Sequence, residues 1–303
     1  MYQPRLASRS EFVPIRTHRY HVRHWGEPQA RQAPLVLVHG WMDVSASWQF
    51  MVDALSSTRH VIAPDWRGFG LTEGPPTDHY WFPDYLADLD VLLDHYAPGT
   101  PVDLVGHSMG GNVAMLYGGA RPARVRRLVN LEGFGMPATR PAQAPGRYAR
   151  WMDEIKAFHR GESALKTYAD VESVAARLMK TNRRLAPDRA QWLARQWARQ
   201  QPDGRWAVLG DAAHKIVNAQ LFRVEEMLES YRRIAAPVLW IEAEDDSLGP
   251  WWGEHFTRAE FQQRLQAVPR LAQARVAQAG HMLHHDQPMQ LAHLIETFFA
   301  ENG

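Results

Sequence analysis

No cysteine occurs anywhere in the chain, so disulfides, a thiolate nucleophile and cysteine-based metal sites are all excluded. Lysine is scarce, present only at 156, 166, 180 and 215, and the remaining basic residues are arginines. The formal net charge is only +1, which gives no electrostatic case for nucleic acid or an anionic membrane. No stretch approaches the roughly 20 consecutive apolar residues that a membrane-spanning helix needs. The opening residues MYQPRLASRSEFVP lack the apolar segment of a secretory signal. These absences predict a soluble, cytoplasmic protein without membrane insertion, a monomer or homodimer acting on a small molecule.

What is present is ordinary for a globular protein: 303 residues, 45% hydrophobic and 22% charged, enough for a sizeable core. Residues 12–25 alternate well enough for a strand pair. Thereafter short apolar runs end in Gly or Asp and are followed by helix-like segments, the rhythm of a mostly parallel sheet. Strands are expected at 34–38, 60–65, 101–105, 127–131, 237–241 and near 274–278. Helices are expected around 47–57, 82–96, 108–120 and 288–300. Between 136 and 233 the rhythm breaks. That region reads as helices at 147–159, 168–180, 187–199 and 218–233, with apolar residues on one side and Arg, Glu and Gln on the other. It is expected to be a helical cap, 136–233, inserted into an α/β core formed by 1–135 and 234–303.

The most specific motif is Gly106-His107-Ser108-Met109-Gly110, directly after one apolar run and directly before the helical GNVAML. A strand-to-helix turn this tight needs small neighbours, and it pushes the serine Oγ out over the sheet edge. Serine is a poor nucleophile without an adjacent base. In this arrangement the partners follow in the order Ser, acid, His. His281, in Ala279-Gly280-His281, follows the last expected strand and is the expected base. His284 and His285 fall nearer the next helix and lack the preceding Gly. The acid should fix the imidazole tautomer, and Glu244-Asp245-Asp246 after the 237–241 strand supplies three candidates, of which Asp246 is the choice and Asp245 the rival. Two backbone N–H groups, of Met109 and of Trp41, are placed as oxyanion donors. Trp251 and Trp252, which adjoin the acid loop, are pocket candidates, and so is His107, although its position on the turn suits a structural role better. His39 and Asp43 read as loop-shaping residues. The chemistry needs no metal and no organic cofactor.

Taken together, His39-Gly40-Trp41, Asp65–Gly70, Gly106–Gly110, Ala243–Asp246 and Gly280-His281 resemble the α/β-hydrolase superfamily. Asn130–Gly135 and Asp211–Asn218 resemble its serine hydrolase-like group. The resemblance implies an eight-stranded sheet with helices on both faces and a cap, and a triad of Ser108, Asp246 and His281. Some relatives place the acid at the end of the preceding strand, which here is Glu132, but that residue reads as a loop anchor and Asp246 remains the expected acid. Ala243 stands where relatives usually carry Gly. Haloalkane dehalogenases and soluble epoxide hydrolases of this fold use Asp at the elbow, so Ser108 argues against both. Carboxylesterase action on small or medium acyl esters is the expected function. Lactonase, perhydrolase or C–C bond hydrolase activity, or ligand binding with weak turnover, are the alternatives.

Overall fold

The apolar runs become strands because a parallel sheet covered on both faces buries every residue along its length. The computed structural model describes residues 2–29, 32–57 and 59–303. Strands β1 (Ser8–Ile15), β2 (His18–Trp25), β3 (Leu35–Val38), β4 (Val61–Pro64), β5 (Val102–His107) and β6 (Val125–Leu131) lie before the insertion. Within the insertion are three very short strands, β7 (Thr167–Tyr168), β8 (Ala198–Gln200) and β9 (Trp206–Val208). Then come β10 (Val238–Ala243) and β11 (Leu271–Val276). The eight long strands form one sheet in the order β1-β2-β4-β3-β5-β6-β10-β11. Only the pairings of β1 with β2 and of β2 with β4 are antiparallel. All six residues of the central β5 are buried.

Helices cover both faces. Pro83–Tyr96 (α2) and Met109–Ala120 (α3) follow β4 and β5, while Gln49–Ala54 (α1) and Pro288–Glu301 (α11) pack on the opposite side. Alternation along β5 and β6 divides the core accordingly: Leu104 and Leu128 face one cluster, Val105 and Val129 the other. Large-to-small changes at such sites cost about 2–5 kcal/mol each.

The segment between β6 and β10 contains Ala144–His159 (α4), Val171–Thr181 (α5), Pro187–Trp197 (α6) and Val224–Arg232 (α7). Leu178, Leu193 and Ala194 of α5 and α6 bury against Phe50 of the core. Two features differ from the sequence expectation. The strands β7, β9 and β8 make a small antiparallel sheet, too short for any periodicity to show. Helix α7 packs on α3, with Met227 and Tyr231 inside the main core cluster, so the last helix of the 136–233 segment behaves as part of the core. No helix among the described residues is long and apolar enough to cross a membrane.

Candidate active site

The turn between β5 and α3 carries Ser108 at φ 52° and ψ −116°, a left-handed conformation that non-glycine residues avoid. Two glycines make this turn possible. A Cβ on Gly106 would collide with the Gly110 carbonyl, and one on Gly110 with the Val38 carbonyl. The turn is pinned from the next strand, since Ser108 N–H donates to the Leu131 carbonyl at 2.8 Å. Strain of this kind persists only where the surroundings over-determine the backbone.

The half-buried Ser108 Oγ lies 3.0 Å from Nε2 of His281. His281 stands on the loop after β11, where Gly280 N–H donates to the Asp286 carboxylate at 2.9 Å and Asp245 N–H to the Ala279 carbonyl at 3.1 Å. The structure thus brings together Ser108 and His281 from positions 173 residues apart.

The carboxylate behind the imidazole is not the one expected. Nδ1 of His281 faces Oε2 of Glu132 at 3.3 Å, and the Glu132 side chain is fully buried. Glu132 immediately follows β6, with φ 57°, and its N–H donates to the Ile241 carbonyl at 3.2 Å. Its other oxygen, Oε1, accepts from the N–H of Ala243 at 2.7 Å. Strand β10 thus supplies a backbone donor that aims the Glu132 carboxylate, rather than the carboxylate itself.

The Asp246 assignment is corrected by the same geometry. Asp246 is exposed, and its carboxylate accepts from the N–H groups of Leu248 at 3.0 Å and Gly249 at 3.1 Å. It closes the turn that opens the short helix Gly249–Trp252, and nothing joins it to His281 among the described residues. Asp245 is paired with Arg184, between α5 and α6, and Glu244 accepts from Gln278 N–H at 2.7 Å. The signal that could have found Glu132 is its place one residue past an apolar strand that pairs directly with β5.

The 39–48 loop closes the other side. A Cβ on Gly40 would meet the Cβ of Ser108 at 3.1 Å, so the backbone of 40–41 runs beside the nucleophile. Met109 is the first residue of α3, and its N–H is one of those a helix start leaves without an intrahelical partner. Trp41 is 44% exposed beside this junction. His39 donates from Nδ1 to the Gly40 carbonyl at 2.7 Å and accepts at Nε2 from Trp66 N–H at 2.9 Å. Both ring nitrogens are engaged, and burial pushes the imidazole down to about 4, so it shapes the loop in its neutral form. Beneath it, Asp65 accepts from Ser45 N–H at 2.6 Å, Leu71 N–H at 2.8 Å and His21 Nδ1 at 2.7 Å. Burial works against that carboxylate, but the bond from His21 and its companions outweigh it and hold the group down at about 2.

The pocket candidates are displaced as well. His107 is buried under the turn, its Nε2 donating to the His281 carbonyl at 2.7 Å, so it braces the base loop instead of lining a pocket. Burial, and then the neighbouring His281, push His107 well below the ordinary imidazole range. Trp251 is 64% exposed, and Trp252 packs on the cluster of Phe134, Trp240, Leu248 and Phe256. Neither makes a ring contact with His281 among the described residues.

A nucleophile, an imidazole within hydrogen-bond reach and a buried carboxylate behind it form an arrangement able to perform acyl transfer. Comparisons with known proteins agree at the level of the fold. A segment of 106 residues is 41% identical to the 2-hydroxy-6-oxo-2,4-heptadienoate hydrolase of Pseudomonas putida, covering 34% of this chain and 38% of that enzyme's length. The serine hydrolase-like protein of Danio rerio is 26% identical over 223 residues, 73% of this chain and 67% of that protein. Among solved structures, the thioesterase domain from the curacin biosynthetic pathway superposes with a TM-score of 0.81 over 96% of this chain and 99% of its own, at 21% identity. The match to the family described as alpha/beta hydrolase fold spans residues 33–288, most of the sequence, and the chain belongs to that family.

Proposed function

We propose that this protein is a serine hydrolase that cleaves carboxylic esters of small to medium acyl groups through an acyl-enzyme. The observation that carries the reading is the continuous line from the Glu132 carboxylate through the His281 imidazole to the Ser108 hydroxyl, at 3.3 and 3.0 Å. Ser108 Oγ attacks the ester carbonyl while its proton passes to His281 Nε2. Glu132 accepts the Nδ1–H bond and stabilises the imidazolium that forms. The N–H groups of Met109 and Trp41 are aimed at the developing oxyanion, each such donor being worth about 3–4 kcal/mol. The imidazolium returns its proton to the leaving alcohol. Water, deprotonated by the same histidine, then releases the acid and restores Ser108. The Trp41 ring supplies an apolar wall for the acyl group.

The test is labelling by a fluorophosphonate probe together with hydrolysis of p-nitrophenyl esters of increasing acyl length. Wild type is expected to label and to turn over acetate and butyrate esters, and Ser108→Ala to do neither. A wild-type chain that neither labels nor hydrolyses any ester of the series ends the proposal. The local likeness to the Pseudomonas putida enzyme favours C–C bond hydrolysis as a second reading. A larger kcat/KM on the substrate named for that enzyme than on any ester would put it first.

A further inference from the structure

Behind the nucleophile turn lie three buried polar side chains that the reaction does not use: Asp43 on the 39–48 loop, His107 at the end of β5, and His284 on the short helix Leu283–Asp286 (α10). They are exposed by 3%, 2% and 0% respectively. One potential ligand atom from each lies within 4.8 Å of the others, and His284 Nε2 is 3.9 Å from Asp43 Oδ2. His107 Nδ1, both ring nitrogens of His284 and Asp43 Oδ2 have no protein hydrogen-bond partner.

The remaining atoms of the same side chains are firmly engaged, and this fixes what the free ones can do. His107 Nε2 faces the His281 carbonyl, which can only accept, so Nε2 carries the hydrogen and Nδ1 presents a bare lone pair. Asp43 Oδ1 accepts from Val44 N–H at 2.8 Å and from the Ser47 hydroxyl, leaving Oδ2 as a second bare acceptor. Neutral His284 has one N–H to offer two acceptors. With Asp43 ionised, as a metal ligand must be, that single hydrogen faces two acceptors in a buried place where an unpaired acceptor is costly. A ligating imidazole whose other N–H is held by a backbone carbonyl, and a carboxylate whose other oxygen is held by local donors, are the outer-shell pattern of metal sites.

We propose that Asp43, His107 and His284 form a binding site for one divalent cation of the zinc class. Two imidazoles and one carboxylate suit such a borderline ion, with a fourth position left for water. Metal–ligand bonds of about 2.0–2.2 Å hold tetrahedral ligand atoms roughly 3.4 Å apart. The three side chains would thus draw together by about 1 Å, within reach of small χ rotations. The ion takes no part in ester cleavage. It ties the loop after β3, the nucleophile turn and, through the His107–His281 bond, the loop of the base into one unit.

The test is metal retention by the full-length chain, stripped with chelator, incubated with Zn2+ or Co2+ and desalted. A second sample is refolded in the presence of the metal, since all three ligands are buried. Expected are one equivalent per chain by elemental analysis, the intense visible bands of four-coordinate Co2+, and a melting temperature raised by several degrees. His284→Ala and Asp43→Asn should each reduce retention at least tenfold while keeping the wild-type far-UV circular dichroism. Asp43→Asn is nearly isosteric and covers the case in which His284→Ala does not fold. Surface binding is controlled with His159→Ala, which removes part of the exposed Asp78, His79 and His159 group. Failure of the wild type to retain metal would leave a bridging water as the occupant and overturn the proposal. Retention that survives His284→Ala but is lost with His159→Ala would overturn it equally.

Discussion

Two neighbouring parallel strands end in acidic residues, and they use them in opposite ways. Past β6 stands a single glutamate, Glu132, buried, in a left-handed conformation and held by the Ala243 N–H. Past β10 stand Glu244, Asp245 and Asp246, all exposed and spent on the loop after β11, on Arg184 and on a local turn respectively. Acidity at a strand end is therefore not enough to orient an imidazole. A carboxylate must be brought out of water and aimed, which takes a backbone donor and a constrained φ, and only the β6 end has both. The exposed carboxylates contribute solvation and turn closure, where high dielectric makes each interaction small.

Exchanging the two carboxylates for amides breaks the comparison most directly. Glu132→Gln should lower kcat by about 10³–10⁴, the scale expected when the imidazole loses its orienting acid, while Asp246→Asn should leave kcat within a few-fold. Steady-state kinetics on p-nitrophenyl butyrate measures both, and equal losses, or the reverse order, would return the acid role to the β10 loop. The same contrast between buried and exposed carboxylates extends to stability. Asp103, fully buried on β5, pairs with Arg59, Arg126 and Arg127. Replacing it with Asn leaves Arg127 buried without a counter-charge and should cost about 3–5 kcal/mol in urea unfolding.

Acid titration sharpens the contrast by its sign. Asp65 is held at about 2 in the folded protein against an ordinary value of 3.8. Its stabilisation is complete above the unfolded value and is lost as pH falls through 3.8 toward 2. Melting curves of wild type should thus fall more steeply with pH across that window than those of Asp65→Asn, and parallel curves would contradict the assignment. The smallest effect belongs to the exposed Arg184–Asp245 pair: Arg184→Ala should change unfolding free energy by less than about 1 kcal/mol. A larger loss would mean that this pair holds the helical segment between β6 and β10 against the loop after β10.

Much of the site was legible in one dimension. Gly106–Gly110 announced the turn because only glycines tolerate the backbone approaches flanking Ser108, and Gly280-His281, placed after the last strand, pointed to the histidine that stands 3.0 Å from Ser108 Oγ. Six strands of the sheet were readable from short apolar runs and the first two from alternation, while the count of eight came from the family resemblance. The two- and three-residue strands between β6 and β10 were not readable, since they hold too few residues to carry a period. Nor was the core role of α7, whose amphipathic pattern looks the same whether its apolar side meets a cap or a sheet.

The turn that carries Ser108, the loop that carries His281 and the positions of the main strands followed from local patterns, because steric limits at a tight turn and burial along a strand are written into neighbouring residues; the order of the strands in the sheet did not. Which carboxylate faces the His281 imidazole was decided only by tertiary structure. Three carboxylates after β10 and one after β6 are equivalent as letters. What separates them is the Ala243 N–H, contributed from 111 positions away, which turns Glu132 inward. The grouping of Asp43, His107 and His284 has the same origin: a loop, a strand end and a short helix meet behind the turn, and no spacing along the chain encodes that meeting.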